Sequence, residues 1–219
     1  MNDLTFIILG GGIGKRFGGD IPKQFLLLKN KPIIFHSIIR AKKFLNPKQI
    51  IVVLAKDWID YWNKITEKYE LRIELDVVIG GEERFFSVKN ALKFVKNTKI
   101  VAVHDGVRPN ISFELLNKLF KNALKKGNAI PYVKVNDTIF NIKDNEYKER
   151  KNFICLQTPQ FFETLTLIKA YDTEYNKSFT DDSSVVKKFG VKLNFVKGDK
   201  KNIKITDKED LKILEKIFE

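Results

Sequence analysis

The stretch LTFIILGGGIGKRF, residues 4–17, decides the fold. Residues 4–9 form a short apolar, β-prone run, and the glycines at 10, 11 and 12 end it abruptly. Apolar residues at helical spacing follow over 35–44. A buried strand, a glycine turn and a helix make the opening of an α/β unit. Working outward, strands are predicted over 49–55, 75–79 and 100–104. Helices are predicted over 58–69, over 87–95 and from an N-cap at Ser112 to about 126. Strands alternating with helices imply a mostly parallel sheet.

After Pro131 the pattern changes. Runs at 132–142 and 152–157 read as strands flanking a polar turn at 143–145, with no helix between, so a β-arm excursion is expected at about 134–156. A last strand is predicted over 191–196. Thr206, Asp207, Lys208 and Glu209 read as a capping box opening a helix whose Leu211, Leu214, Ile217 and Phe218 share one face. There is no Ser/Gly or Pro tract and no fixed-period repeat, so one domain over 1–219 is expected.

Composition bounds the chemistry. The 219 residues are 43% hydrophobic and 31% charged, which excludes a disordered tail or a collagen. The apolar runs fall far short of the ~20 residues that a membrane span needs. One cysteine, Cys155, excludes an internal disulfide, and two histidines, His36 and His104, leave a Cys/His zinc cage out of reach. A reducing cytoplasm is the expected compartment. The net charge of +13 has three readings: a nucleic-acid stripe, cations placed for phosphates, or lysine-rich coding bias. Lysine travels here with abundant Asn, Ile and Phe, which favours the bias. The six arginines, at 16, 40, 72, 84, 108 and 150, are then the informative cations.

Four segments carry chemistry. In residues 10–17, bare glycine N–H groups can face an anion, with Arg16 at one end and Pro22, Lys23 and Gln24 beyond. Phe17 breaks a dinucleotide fingerprint, and Leu9 and Arg16 break a Walker loop. In residues 80–88, adjacent glycines admit a planar ligand, and Ser87 offers a hydroxyl at a helix start. In residues 104–109, Asp105 at a strand end can hold a divalent cation and Arg108 can fork a phosphate, while His104 reads as a packed core residue. Residues 180–184 and 202–206 are the fourth element: Lys204 alternates with Ile203 and Ile205 and so points away from the face they bury, toward a cleft or toward water, and alone it reads as solvated.

In this order the segments, together with Gln-Thr-Pro-Gln at 157–160, resemble the 2-C-methyl-D-erythritol 4-phosphate cytidylyltransferase family. The resemblance runs from Leu4 to about Leu214. It implies an α/β, Rossmann-like nucleotidyltransferase fold with a protruding β-arm. The implied reaction joins CTP and methylerythritol phosphate into the cytidine diphosphate sugar alcohol, releases pyrophosphate and requires Mg2+. Carried over, Gly10, Gly11, Gly12 and Gly14 cradle the nucleotide, while Arg16 and Lys23 grip its phosphates. Gly81, Glu82 and Ser87 read the cytosine. Asp105 sits by metal and substrate, and Arg108, Thr180 and Lys204 line the acceptor-phosphate pocket, with Lys204, like Arg16 and Lys23, taken as catalytic. In the family the arm reaches across a homodimer, and Arg150, Thr158 and, more weakly, Thr138 fall where its contacts belong.

Departures are few: the family commonly has alanine at Gly10 and often at Gly11, and methionine at Phe17. The sister family that uses ribitol 5-phosphate shares the glycine loop, Pro-Lys-Gln and Arg-Pro, but residues 180–184 and the compact length look more like the methylerythritol enzyme. A nucleic-acid binder would cluster its lysines among aromatic platforms, whereas those after residue 186 are spread out. Neither nucleic acid nor membrane is an expected partner.

Overall fold

The computed structural model describes residues 2–12, 21–44 and 46–218. Strand β1 (Asn2–Gly10) runs into the first glycine loop; a single 3-10 turn (Lys23–Phe25) and a small ladder of β2 (Leu27–Leu28) and β3 (Lys31–Pro32) follow. Then α1 (Ile33–Lys43), β4 (Pro47–Leu54), α2 (Ile59–Lys68), β5 (Asp76–Ile79), α3 (Arg84–Leu92) and β6 (Ile100–Asp105) alternate. These four long strands are parallel and lie in the order β6-β1-β4-β5. The chain steps outward from β1 to β5, then crosses back to place β6 on the other side of β1. Strand order therefore reverses between β1 and β6, and in open α/β sheets the crevice outside the carboxyl ends at such a reversal is where ligands bind.

β1 shows how the sheet is covered on both faces. Successive side chains of a strand point to opposite sides. Phe6 and Ile8 pack with Phe35, Trp62 and Leu119 of α1, α2 and α4 (Phe113–Lys126), while Ile7 packs with Val88 of α3, Leu167 of α5 (Thr164–Tyr171) and Val185 of α6 (Asp182–Lys188). A continuous apolar run is what a strand buried on both faces requires.

The second half adds β7 (Asn128–Lys134), β8 (Ile139–Asn141), β9 (Glu146–Lys148), β10 (Ile154–Leu156), β11 (Gln160–Glu163), β12 (Phe195–Lys197) and α7 (Lys208–Ile217). β11 lies antiparallel to β6 and joins β7 to the sheet, and β7 also pairs with β10 and β12. β8 and β9 form a hairpin of their own. The polar turn at 143–145 therefore joins β8 to β9 rather than leading to β10, and the strand expected over 132–142 is two strands, broken at 135–138. The strand expected over 191–196 begins only at Phe195. The C-terminal cap sits one residue later than expected, with Asp207 as N-cap and Asp210 completing the box. β11, α5 and α6 were not legible.

Candidate active site

The two glycine loops converge. Gln24 is buried and its Nε2 donates to the Gly10 carbonyl at 2.6 Å, so the Pro-Lys-Gln segment is a strut pinning the end of β1. Lys23 opens the turn beside it. Asp210 in α7 senses that charge: burial pushes its carboxyl up, but bonds from Thr206 and the nearby Lys23 bring it below the ordinary value. On the other strand end, Gly81 N–H donates to Ser87 Oγ at 3.1 Å. A Cβ on Gly81 would collide with the Cβ of Phe86, so only glycine allows this approach. Ser87 does not sit at the helix start as expected: α3 begins three residues earlier, capped at Glu83, and the buried hydroxyl folds back on the loop. A Cβ on Gly11 would lie 3.9 Å from the same Oγ, which puts both loops at one crevice. Gly12 and Glu82 are exposed beside it, whereas Gly14 and Arg16 lie outside the described residues.

Asp105 ends β6 in a nest of cations. Its carboxylate lies 3.0 Å from Lys204 Nζ, 3.6 Å from Arg108 Nε and 3.8 Å from Arg84 Nε. Burial alone would raise its pKa, but these charges overcome burial and hold it well below the usual carboxylate range. Lys204 follows the expected alternation: Ile205 is fully buried, and the lysine projects the other way to Asp105 although residues 203–206 form no strand. Arg108 is fixed by donating from Nη1 to the Asn202 carbonyl at 2.8 Å. Asp105, Arg108, Thr158, Thr180 and Lys204 line one cavity of about 290 Å3.

Under that carboxylate runs a chain of bonds that fixes a tautomer. His104 is buried, with Nε2 3.1 Å from the Arg108 carbonyl and Nδ1 3.2 Å from Thr158 Oγ1. A carbonyl only accepts, so Nε2 carries the proton, Nδ1 accepts from the Thr158 hydroxyl, and that oxygen accepts the Asp105 N–H at 3.0 Å. Burial lowers the His104 pKa to about 4, outweighing the nearby Asp105, which keeps the ring neutral. His104 is thus the packed core residue expected. Thr158 is not on the arm: it is buried at the cavity floor, its hydroxyl committed within its own chain.

Sequence reasoning missed Arg84. Its guanidinium forks Asp182 with bonds of 2.9 and 2.6 Å, and the fully buried Asp182 also accepts from Tyr171 at 2.7 Å. The signal was available, because Arg84 is one of six arginines kept in a lysine-rich chain. The same criterion also finds structural residues: Arg40 bonds the Ile111 carbonyl, and Arg72 pairs with Glu70 on the surface. Arg150 is not brought to the Asp105 cavity. It lines a separate one of about 480 Å3 with Lys134 and Phe153, and Thr138 is exposed between β7 and β8.

Glycine loops and clustered cations at the carboxyl edge of an open α/β sheet suit a protein that handles nucleotides and phosphates. A model of the 2-C-methyl-D-erythritol 4-phosphate cytidylyltransferase family matches residues 4–219, and the chain belongs to this family. A relative of that name from Bacteroides thetaiotaomicron is 41% identical over 95% of this chain and 96% of its own. The solved 4-diphosphocytidyl-2C-methyl-D-erythritol synthase from Anaerococcus prevotii is similar with a TM-score of 0.82 at 26% identity, over 99% of this chain and 98% of that one. The bifunctional IspDF from Campylobacter jejuni gives 0.84 at 34% identity over 95% of this chain, which spans 53% of that longer one. Among the described residues no helix is long and apolar enough to cross a membrane.

Proposed function

We propose that this chain transfers the cytidylyl group of CTP to 2-C-methyl-D-erythritol 4-phosphate, giving 4-diphosphocytidyl-2-C-methyl-D-erythritol and pyrophosphate. The observation that carries this reading is Asp105 held among Lys204, Arg108 and Arg84 where strand order reverses, beside two converging glycine loops. CTP lies along Gly10, Gly11, Gly12 and Gly14, its cytosine against Gly81, Glu82 and Ser87 and its phosphates met by Arg16 and Lys23. The acceptor phosphate is met by Arg108, Thr180 and Lys204. An oxygen of that phosphate forms a bond to the α-phosphorus of CTP, the bond to the bridging oxygen breaks, and its electron pair leaves on pyrophosphate. A phosphate monoester is largely dianionic at neutral pH, so no base has to remove a proton. The neutral, fully committed His104 agrees with that. What remains for the protein is to bring two polyanions together in line and to neutralise the charge that develops.

Asp105 is the side chain that would hold Mg2+. Its donor chemistry supports this: a hard carboxylate held ionised at the cavity wall suits an ion that takes its other ligands from water and phosphates. Bound there, the ion would neutralise phosphate charge. The working form is a cytoplasmic homodimer joined through the arm. Ile142 is 88% exposed and Tyr147 77% exposed on the β8–β9 hairpin, an apolar surface that suits a second copy, with Arg150 and Thr138 directed to the partner's crevice. Pyrophosphate release is measured with CTP and either methylerythritol phosphate or ribitol 5-phosphate. Turnover with the first alone is expected; turnover with only the second, or with neither, overturns the reading.

A further inference from the structure

We infer that Arg84 is a positioning residue that couples the nucleotide loop to the acceptor loop, so that CTP on one orders the other. The inference rests on the functional reading above. Arg84 is the first residue of α3, directly behind the glycine loop at residues 80–83, so its Cα follows any movement of that loop. Its side chain ends on Asp182, the first residue of α6, two positions after Thr180. The two Nη atoms meet the two carboxylate oxygens at 2.9 and 2.6 Å, a fork that transmits both distance and orientation. On the same guanidinium, Nε lies 3.8 Å from Asp105, between the two loops. Tyr171 holds Asp182 from behind at 2.7 Å, and Asp181 caps α6 by accepting from Ser184 N at 2.9 Å, so the acceptor side responds as a unit with its helix. A buried ion pair contributes little net stability, and its best-attested use is to fix one arrangement over others.

The test uses Arg84→Lys and Asp182→Asn, because Arg84→Ala would leave a buried charge without its partner and so confound a loss of coupling with a loss of fold. Lysine keeps the positive charge but cannot fork. Three quantities are read for each protein: CTP affinity by calorimetry without acceptor, kcat and KM for methylerythritol phosphate, and amide hydrogen exchange at residues 180–184 with and without CTP. In the wild type, CTP is expected to slow exchange at 180–184. In Arg84→Lys that slowing is lost and the acceptor KM rises ~10-fold, the size of an ordinary coupling, while CTP affinity stays within about twofold. Asp182→Asn gives the same pattern, and the double variant is no worse than either single one, as for residues acting through one link. CTP-dependent slowing that persists in Arg84→Lys with an unchanged acceptor KM overturns the coupling alone. A wild-type protein that neither binds CTP nor releases pyrophosphate overturns the functional reading and the coupling with it.

Discussion

Asp105 stays charged in a buried place because Lys204, Arg108 and Arg84 surround it, and their redundancy decides what a substitution there does. Removing Lys204 leaves two arginines to neutralise the carboxylate, so the fold survives, but the cation that faces the open side is gone. Lys204→Ala is expected to lower kcat by ~100-fold or more, as losing one charge-stabilising donor does elsewhere, with an unchanged urea midpoint. A near wild-type rate would remove Lys204 from the reaction. His104 gives a second prediction, in stability. Its folded pKa of about 4 lies below the ordinary 6.5, so between those values the unfolded chain binds the extra proton. Stability therefore rises with pH through that window and is lost as pH falls below 6.5, by about 3 kcal/mol in all. Desolvation also lowers His36, which pulls in the same direction. Urea unfolding from pH 7 to 4, with the His104 ring followed by NMR, checks this; a flat midpoint, or a ring titrating near 6.5, refutes it. At this scale Asp105 and Arg108 were legible because charged residues at a strand end and in the turn after it announce themselves, whereas Thr180 and Lys204 were marked only by the family resemblance. Thr158 was misplaced because its contacts lie 53 and 54 residues away in sequence, and no spacing rule spans that distance.

Elements were legible where local physics and tertiary packing agree. α4 is the plainest case. Ser112 caps it through Leu115 N, Glu114 sits in its first turn, Lys125 and Lys126 in its last, and Gly127 closes it at φ 81°. Each signal is local, so its start and end were read correctly. The cap also supports a prediction: Ser112→Ala should cost about 1 kcal/mol with activity unchanged, since α4 lies away from the cavity-lining residues. Equal unfolding midpoints for the two proteins would show the cap to be dispensable. α6 is the opposite case. Its capping box pairs Asp181 with Ser184, not with the glutamate or glutamine that marks such boxes in sequence, and only seven residues follow. β11 is four residues long and exists because β6 and β7 leave a place between them, which is tertiary information. α3 starts earlier than Ser87 because Glu83 serves as an extended N-cap without a side-chain bond, a cap with no sequence mark.

At the scale of the whole molecule, the +13 charge separates into a dispersed lysine background and a few cations gathered around Asp105, and the proposed dimer makes the arm the place to test how many chains form one site. Within one chain Arg150 lies in a cavity of its own rather than with Lys204. If the homodimer completes each site with the partner's arm, Arg150 and Lys204 serve the same site from different chains. Two inactive variants then rescue each other. Arg150→Ala and Lys204→Ala are expected to be nearly inactive as separate preparations. Mixed in equal amounts and allowed to exchange subunits, half of the dimers are hybrids, and each hybrid has one site with an intact Lys204 and an intact Arg150. The other hybrid site lacks both. The mixture should therefore recover about one quarter of wild-type activity, which follows from closed two-fold pairing. Recovery should appear at the rate of subunit exchange and vanish if the preparations are mixed under conditions that prevent it. If mixing restores nothing although mass measurement shows hybrids forming, Arg150 acts within its own chain or not at all. If Arg150→Ala is active by itself, the arm contributes only to association, and its apolar tip, Ile142 and Tyr147, becomes the part whose substitution by serine should yield a monomer.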